Sequence, residues 1–342
     1  MKVLQQKLSN RESVSVSETG QREQEEALEK RRLDSLRYAF GEKVMEGLAD
    51  SDVVEVILND DGSLWFEKFG SMAKVGRIEK EDAWVILSQV ASALPDNEPL
   101  TRQNPFVEGE LPLDGSRFQG VAPPVTEFPI FAIRKKASRV YTLDEYVRAQ
   151  ILSFAQAERL REAIAAKKNV LVGGGTGSGK TTFCNALLHE MSVLCPDVRM
   201  ILIEDTRELQ SALANKVFLR STQWTSMDRI AGAVNRLRPD RVSVGEVRFG
   251  GPCLALLKLW NTGHPGGMAT VHANNAYSCL TRVDQLIQEV SANPQRLLIG
   301  EAVNIVVFLK RSGPPRGRHV EEILSVEGYD ALAEKYIVEA VL

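Results

Sequence analysis

This chain of 342 residues has few histidines, no closely spaced cysteine pair and no excess of positive charge. The 4 cysteines lie far apart with no C-x-x-C pair, so their spacing indicates neither a disulfide framework nor a zinc knuckle. Lys and Arg number 42 against 45 Asp and Glu, and the net charge of −3 provides no general attraction to a polyanion. We therefore expect reduced, buried thiols, and direct nucleic-acid binding is disfavoured.

Long apolar runs are missing as well. No stretch reaches the roughly 18 apolar residues that a membrane-spanning helix needs, and residues 1–10 contain no continuous apolar segment typical of a signal peptide. We therefore expect a cytoplasmic chain that is at most peripheral to a membrane. The composition is that of a globular protein, with 44% hydrophobic and 25% charged residues, and at roughly 100–200 residues per domain the length predicts two domains.

The first part of the chain predicts a smaller mixed α/β domain over residues 26–138, preceded by a mobile polar tail over residues 1–25. Apolar residues at helical spacing, among them Leu36, Phe40 and Val44, predict an amphipathic helix. Beyond it, the sequence predicts two strands around an Asp-Gly turn at 53–59 and 64–69, a helix at 82–94 and several short strands at 110–134.

Residues 139–342 predict a second α/β domain. Two helical segments are followed by apolar strands that alternate with helical stretches, which is the pattern of a parallel sheet covered on both faces. The C-terminal strands at 304–324 predict a hairpin whose turn contains Pro314 and Pro315. The strands of the alternating pattern are NVLVG, RMILIED, KVFLRS, RVSVGE, MATVHA and NIVVFLK.

The first of these strands leads into the strongest motif of the chain, GGTGSGKT at residues 174–181. It matches G-x-x-x-x-G-K-[ST] and lies directly between a predicted strand and a predicted helix. Glycines let backbone N–H groups converge on phosphate oxygens, and the helix N-terminus adds partial positive charge. Lys180 would bridge the β- and γ-phosphates of ATP, and Thr181 would offer a hydroxyl to Mg²⁺. The residues predicted to bind the nucleotide are Gly175, Thr176, Gly177, Ser178, Gly179, Lys180, Thr181 and Thr182.

Acidic residues at the ends of two strands are candidates for the carboxylate that orients or deprotonates water during hydrolysis. Glu246 ends RVSVGE, where a Walker B acid is expected, and Glu204 and Asp205 end RMILIED. His264 and His272 flank a Gly-rich segment, and their spacing leaves open whether they are structural or functional. Zinc is disfavoured at these histidines because neither a third His nor a paired Cys lies nearby.

Four segments in this order make the chain similar to the secretion or traffic ATPases of type IV and type II secretion systems. The P-loop is followed by an Asp-box-like ILIEDTRELQ, a Walker B-like NRLRPDRVSVGEVR and a His-box-like NTGHPGGMATVHANNA. The last two runs especially resemble the TrbB-type conjugal transfer ATPases. The similarity covers about residues 30–330, and the missing tetracysteine insertion of many type II secretion ATPases favours the type IV side.

This resemblance implies a RecA-like P-loop NTPase fold for the C-terminal domain, a homo-hexameric ring, and ATP bound with Mg²⁺ between the two domains. It also implies that the partners are inner-membrane components of a secretion or conjugation machine, and that the protein is peripheral at the inner membrane. The implied function is ATP hydrolysis that powers assembly of, or substrate transfer through, a type IV secretion or conjugative transfer apparatus.

The resemblance further implies that arginines of the N-terminal domain approach the phosphates. The matching segment here is SRFQGVAPPVTEFPIFAIRKK, so Arg117 and Arg134 are the candidates, with Arg139 as a weaker third. A surface charge or a local ion pair is the alternative interpretation of each arginine. In the family interpretation, their positive charge would neutralise the transferring phosphoryl group.

The resemblance also implies roles for the groups around the P-loop. Glu204 becomes the water-activating carboxylate, and Glu246 becomes the Walker B residue that contacts Mg²⁺, partly through water, together with Thr181. Arg248 and His272 become supporting groups. The division of roles between Glu204 and Glu246 stays open, because the Walker B-like strand ends in Gly-Glu and not in the more usual Asp.

Other function classes remain open at this point. One is a nucleotide-gated assembly scaffold that binds ATP but turns it over negligibly. Another is a RecA-class DNA translocase, which predicts strand-dependent stimulation and strong salt sensitivity, and against which the charge balance argues. A GTPase is disfavoured because no N-K-x-D motif is present: Asn215-Lys216 is followed by Val217 and Phe218.

Overall fold

The computed structural model describes residues 2–68, 71–94, 98–136, 139–222, 224–312 and 317–341, and in its first helix it describes side chains at residue 24 and from residue 26 onward. The chain divides into two compact units, Met1–Ser138 and Arg139–Leu342. We call them the N-terminal unit and the C-terminal unit. Each is built around its own sheet and its own apolar core.

The N-terminal unit is a mixed α/β structure. In chain order its described elements are α1 (Lys2–Ala49), β1 (Val53–Leu58), β2 (Ser63–Lys68), β3 (Ser71–Arg77), α2 (Lys80–Ala93), β4 (Phe106–Glu110), β5 (Arg117–Val121) and β6 (Ile130–Arg134). The strands form one antiparallel sheet in the order β3-β2-β1-β6-β5-β4. The predicted β1–β2 pair is confirmed up to Lys68, and residue 69 lies outside the described part of the chain.

The core of this unit forms where the amphipathic helix covers the sheet. Leu36 and Phe40 are four residues apart and lie on one face of α1, and both are buried, as is Val44 in the part of α1 that follows Gly41. The Phe40 and Phe118 rings stack with centroids 6.5 Å apart, and the Phe118 and Phe131 rings stack at 5.6 Å. The predicted amphipathic helix is confirmed, and its apolar face is core.

The backbone of α1 is helical from Lys2, across the segment where the sequence predicts a mobile polar tail. Gln, Glu and Arg are good helix formers, and no proline precedes residue 95, so nothing in this segment blocks helical backbone. The side chains of residues 1–23 lie outside the described part of the chain, and the mobility of the tail stays a prediction. The helix breaks at Gly41, whose φ of 65° costs little in a residue without Cβ.

The C-terminal unit alternates strands and helices. In chain order its described elements are α3 (Leu143–Arg148), α4 (Phe154–Ala165), β7 (Val170–Gly174), α5 (Lys180–Leu194), β8 (Met200–Glu204), β9 (Lys216–Arg220), α6 (Met227–Val234), β10 (Arg241–Val244), α7 (Gly250–Asn261), β11 (Met268–His272), α8 (Ala276–Gln288), α9 (Arg296–Ala302), β12 (Ile305–Arg311), β13 (Arg318–Asp330) and β14 (Lys335–Ala340).

The sheet of the C-terminal unit has the strand order β14-β13-β12-β7-β11-β10-β8-β9. It is parallel from β12 to β9, and β12, β13 and β14 pair antiparallel. The predicted parallel sheet and the predicted C-terminal hairpin are therefore confirmed. The turn predicted to contain Pro314 and Pro315 lies outside the described residues.

Both faces of this sheet are covered. Val170 and Val172 of β7 belong to the core beneath α3, α4 and α5, whereas Leu171 between them belongs to the core beneath α6, α7, α8 and α9. This is the alternation expected of a strand buried on both sides. One of the strands predicted to be buried on both faces is less buried than expected. This strand, β9, lies at the edge of the sheet, so Val217 and Leu219 are only partly buried. No described helix combines the length and apolarity needed to cross a bilayer.

We expect Phe118→Ala to destabilise the N-terminal unit by about 3–5 kcal/mol, because the ring is fully buried between two other aromatic rings. Tyr38→Ala is the matched control, since Tyr38 on the opposite face of α1 is 90% exposed. Urea denaturation of the full chain, followed by circular dichroism, measures both variants. An equal shift of the unfolding midpoint in the two variants would contradict the assigned core.

Candidate functional site

Three glycines with positive φ shape the loop between β7 and α5. Gly174, Gly177 and Gly179 have φ values of 156°, 68° and 91°. A Cβ at Gly174 would lie 2.4 Å from the Oγ of Ser178 and 2.5 Å from the carbonyl oxygen of Leu309 on β12, so no larger residue fits there. The loop therefore curls directly onto the N-terminus of α5, an arrangement that gathers backbone N–H groups for an anion.

The predicted nucleotide-binding residues 175–182 form this loop and the first turn of α5. The Ser178 hydroxyl is buried and has no hydrogen-bond partner among the described residues. Thr181 and Thr182 are half-buried at the start of the helix. The hydroxyl and backbone groups of this turn are of the kind that hold phosphate and Mg²⁺ oxygens, and their roles stay a prediction.

The Lys180 ammonium lies within the loop. Its Nζ donates hydrogen bonds to the carbonyl oxygens of Gly174 and Gly175, both at 3.1 Å, and the residue is only 8% exposed. The same nitrogen lies 3.3 Å from Nδ1 of His272, at the end of β11. A triphosphate that binds here would have to replace the two carbonyl oxygens as the acceptors of this ammonium.

Polar contacts continue from this lysine to the ends of two further strands. His272 Nε2 lies 2.8 Å from Glu246 Oε1, and Glu246 Oε2 accepts hydrogen bonds from Nε and Nη2 of Arg248 at 2.8 and 2.5 Å. Arg248 Nη1 donates to Oδ2 of Asp205 at 2.9 Å. We call this sequence of contacts, Lys180–His272–Glu246–Arg248–Asp205, the polar chain. It brings together four of the predicted catalytic residues and one strand-end acid.

The strand order explains why these residues meet. Because β7, β11, β10 and β8 are parallel neighbours, their carboxyl ends share one edge of the sheet, and the members of the polar chain follow those ends. Burial alone lowers the pKa of Arg248, but its hydrogen bond to Glu246 and the charges of Glu246 and Asp205 raise it above the usual value overall. Arg248 is therefore a fixed cation between two carboxylates.

Glu204 differs from the members of the polar chain, because two of its partners are backbone N–H groups. It ends β8, is 3% exposed, and its Oε1 accepts the backbone N–H groups of Glu208 at 2.9 Å and Leu209 at 2.7 Å. Asn185 on α5 fastens the same loop, donating to the carbonyl oxygen of Glu208 and accepting from the N–H of Gln210. Glu246 thus belongs to the polar chain, whereas one oxygen of Glu204 anchors the loop after β8.

Two other candidates have partners that explain them structurally. The Nδ1 of His264 lies 2.9 Å from the carbonyl oxygen of Pro239, and its Nε2 lies 3.1 Å from Oδ1 of Asn235, so this side chain joins two loops. Arg139 forms an ion pair with Glu145, which matches the local-ion-pair interpretation of that residue. Of the two histidines that flank the Gly-rich segment, only His272 belongs to the polar chain.

The arginines predicted to approach the phosphates are neighbours in the N-terminal unit. Arg117 on β5 and Arg134 on β6 are directly opposite one another in the antiparallel register, so they lie on the same face of the sheet. The row continues with Glu110 opposite Arg117 and Glu55 opposite Arg134. Both arginines therefore belong to one charged row, and their approach to a nucleotide stays a prediction.

One contact was missed from the sequence. Arg318, the first residue of β13, donates from Nε to the carbonyl oxygen of Gly177 at 2.8 Å and so holds the P-loop from the side of the C-terminal hairpin. No motif marks this contact; the sequence indicates only that Arg318 lies beside the predicted hairpin turn. Across the described part of the chain, no group of three or more His, Cys, Asp or Glu side chains is arranged to hold a metal ion.

Residues 38–316 match the type II/IV secretion system protein family, and the chain belongs to this family. It is 44% identical over 300 residues to the probable conjugal transfer protein TrbB of Sinorhizobium fredii, which covers 87% of this chain and 91% of that protein. It is 30% identical over 326 residues to the type IV secretion system protein PtlH of Bordetella pertussis, with coverage of 83% and 93%. The predicted family resemblance is confirmed.

Solved structures confirm the predicted fold class. The ATPase DotB of Legionella pneumophila aligns with a TM-score of 0.61 at 17% identity, over 82% of this chain and 79% of that chain. The pilus retraction motor PilT with bound ADP aligns with a TM-score of 0.61 at 17% identity, over 85% and 83%. The chain thus has the mixed α/β fold of the secretion ATPases, with an N-terminal domain and a RecA-like C-terminal domain.

We expect Gly174→Ala to lower the melting temperature of the C-terminal unit by several degrees, because the new Cβ overlaps both Ser178 Oγ and a carbonyl oxygen of β12. Gly175→Ala is the matched control, since a Cβ at Gly175 meets no atom within 4 Å and its φ is not positive. Differential scanning calorimetry compares the two variants. Equal melting temperatures would show that the loop is not confined in this way.

Proposed function

We propose that this protein is an ATP hydrolase that works as a homo-hexamer and powers assembly of, or substrate transfer through, a type IV secretion or conjugative transfer apparatus. The observation that supports this most strongly is the polar chain, which extends from the P-loop lysine to strand-end carboxylates. An enzyme that splits a phosphoanhydride needs a phosphate cradle, a fixed positive charge and a carboxylate within one small site.

The P-loop binds the triphosphate in this proposal. Lys180 releases the carbonyl oxygens of Gly174 and Gly175 and binds the β- and γ-phosphate oxygens, while the N–H groups of residues 175–182 bind the remaining oxygens. The hydroxyl of Thr181 and the carboxylate of Glu246 are oxygen donors that suit Mg²⁺, which retains water ligands and needs few protein groups. When bound, Mg²⁺ neutralises charge on the phosphates.

The carboxylates of Glu204 and Glu246 have different roles in the proposed mechanism. Glu204, fixed by two backbone N–H groups, aligns the attacking water, whereas Glu246 orients His272 and would hold Mg²⁺, partly through water. Arg248 holds Glu246 in place from the other side. This division follows the family resemblance, and the two different environments of the carboxylates support it.

Arg117 and Arg134 supply positive charge to the transferring phosphoryl group in this mechanism. Arginines that act in this way accelerate related reactions by about 10³- to 10⁵-fold. Loss of the γ-phosphate then removes the anion to which both units would bind. The cycle of binding and release would convert hydrolysis into movement of one domain relative to the other, and so into work on inner-membrane components of the machine.

We expect Lys180→Ala to abolish ATP turnover, because the variant loses the buried ammonium that donates to Gly174 and Gly175 inside the P-loop and that would bind the β- and γ-phosphates. Lys168→Ala is the control, since this exposed lysine precedes β7 and lies outside the loop. A coupled assay of phosphate release at saturating MgATP measures both variants. Near-normal turnover by the Lys180 variant would refute the assignment, and wild-type turnover that is negligible would favour the nucleotide-gated scaffold.

We expect the purified protein to sediment as a hexamer when MgATP is present, as the proposed ring requires. Sedimentation velocity with and without nucleotide measures the assembly. Single-stranded DNA serves as the control ligand: an increase in ATP turnover on adding it, with strong salt dependence, would favour a DNA translocase. A protein that stays monomeric with MgATP at every concentration would contradict the ring.

A further inference from the structure

A polar cavity of about 500 Å³ lies within the C-terminal unit, on the side of the P-loop that faces β11. Its volume falls in the range of about 300–1,000 Å³ that is usual for ligand sites, but the walls of such sites are mostly apolar. Here the described lining carries hydroxyl, amide, imidazole and guanidinium groups, which suit a small hydrated anion. The lining includes Thr176, His272, Asn274, Ser278, Arg282 and Gln285.

One side of α8 forms a wall of this cavity. Ser278, Arg282 and Gln285 follow one another at four and three residues, so they share one side of the helix. Val283 and Ile287 lie on the opposite side of the helix and are buried in the core of the unit. The core therefore fixes which side of α8 faces the cavity.

The helix packs directly against the strand that leads into the P-loop. A Cβ at Gly173 on β7 would lie 2.1 Å from Sγ of Cys279, so α8 contacts the backbone of β7 just before the loop. Asn275 and Ser278 form a reciprocal capping box that fixes the start of the helix. The backbone position of Arg282 relative to the P-loop is thus set before any ligand binds, which lowers the entropic cost of binding.

Arg282 brings a positive charge to the cavity that no carboxylate neutralises. Its guanidinium forms no ion pair and no hydrogen bond within the described part of the chain, and none of the described lining residues is Asp or Glu. Arg248 provides the contrast, because Glu246 and Asp205 hold its guanidinium between them. A guanidinium presents paired N–H donors that match phosphate oxygens, so the cavity favours an anion of the phosphate type.

His272 connects the cavity to the position proposed for the γ-phosphate, because it lines the cavity and contacts both Lys180 and Glu246. In the proposed reaction the oxygen of water bonds to the γ-phosphorus, the bond to the bridging oxygen breaks, and its electron pair stays on ADP. One proton of the water is lost to solvent by way of Glu204. Inorganic phosphate therefore forms on the β11 side of the loop, where ADP repels it and the charge of the cavity attracts it.

We propose that this cavity binds the inorganic phosphate that hydrolysis produces, before the phosphate reaches solvent, and that Arg282 is its main anion-binding residue. The proposal rests on the proposed function, since the phosphate comes from ATP bound at the P-loop. The hydroxyl of Thr176 and the amides of Asn274 and Gln285 are donors for the remaining phosphate oxygens. We call this cavity the phosphate pocket.

Equilibrium dialysis of radiolabelled orthophosphate tests the phosphate pocket. The full-length chain is first saturated with MgADP in about 0.15 M KCl, which screens weak ion binding. We expect the wild type to bind one phosphate per chain and Arg282→Gln to bind it about tenfold more weakly, because a charge-assisted contact is lost. Arg282→Lys keeps the charge but not the paired donors, so its affinity is expected to lie between the two.

Arg159→Gln is the matched control, because it also removes one positive charge from the C-terminal unit. Arg159 is an exposed partner of Glu162 on α4, which covers the other face of the sheet. We expect this variant to bind orthophosphate like the wild type, and we expect all variants to bind MgADP equally. Thermal melting establishes that the compared chains are folded.

The results separate this proposal from the proposed function. Equal orthophosphate affinity in the wild type and the Arg282→Gln variant, or no orthophosphate binding to the wild-type MgADP complex, would overturn the phosphate pocket and leave the proposed function intact. An equal loss of affinity for orthophosphate and for a non-hydrolysable ATP analogue would also overturn it, since Arg282 would then bind the nucleotide itself. A wild-type chain that binds no nucleotide would overturn both.

Discussion

The position of the Lys180 ammonium is the constraint on which the site depends. In the structure it donates to two carbonyl oxygens of its own loop and lies against His272, so one cation joins the phosphate cradle to the polar chain. The glycine at position 174 makes it possible, because only a residue without Cβ lets the loop turn between β12 and Ser178.

The order of the strands in the sheet brings the other polar groups of the site close to Lys180. Parallel strands bring their carboxyl ends to one edge, and the order β7-β11-β10-β8 places the lysine, the histidine and the carboxylates side by side. On the other side of β7, β12 and β13 bring Arg318 to the P-loop.

Much of this could be predicted from the sequence because the signals are local. A short segment of consecutive residues is enough to predict the P-loop, each of the alternating strands, and the strand-end acids Glu204 and Glu246. What the sequence could not supply depends on contacts between distant segments. Arg318 is 141 residues from the glycine it contacts, and Asp205 meets Arg248 across 43 residues. The edge position of β9 likewise depends on sheet order and not on the apolar pattern of the strand itself.

Calorimetric titration of MgATP into the full-length protein tests the central claim most directly, because it asks whether the loop around Lys180 binds a triphosphate at all. The account predicts one saturable site per chain, and it predicts that inorganic tripolyphosphate competes for that site. The absence of a saturable heat signal, in a protein shown by its melting curve to be folded, would contradict the account.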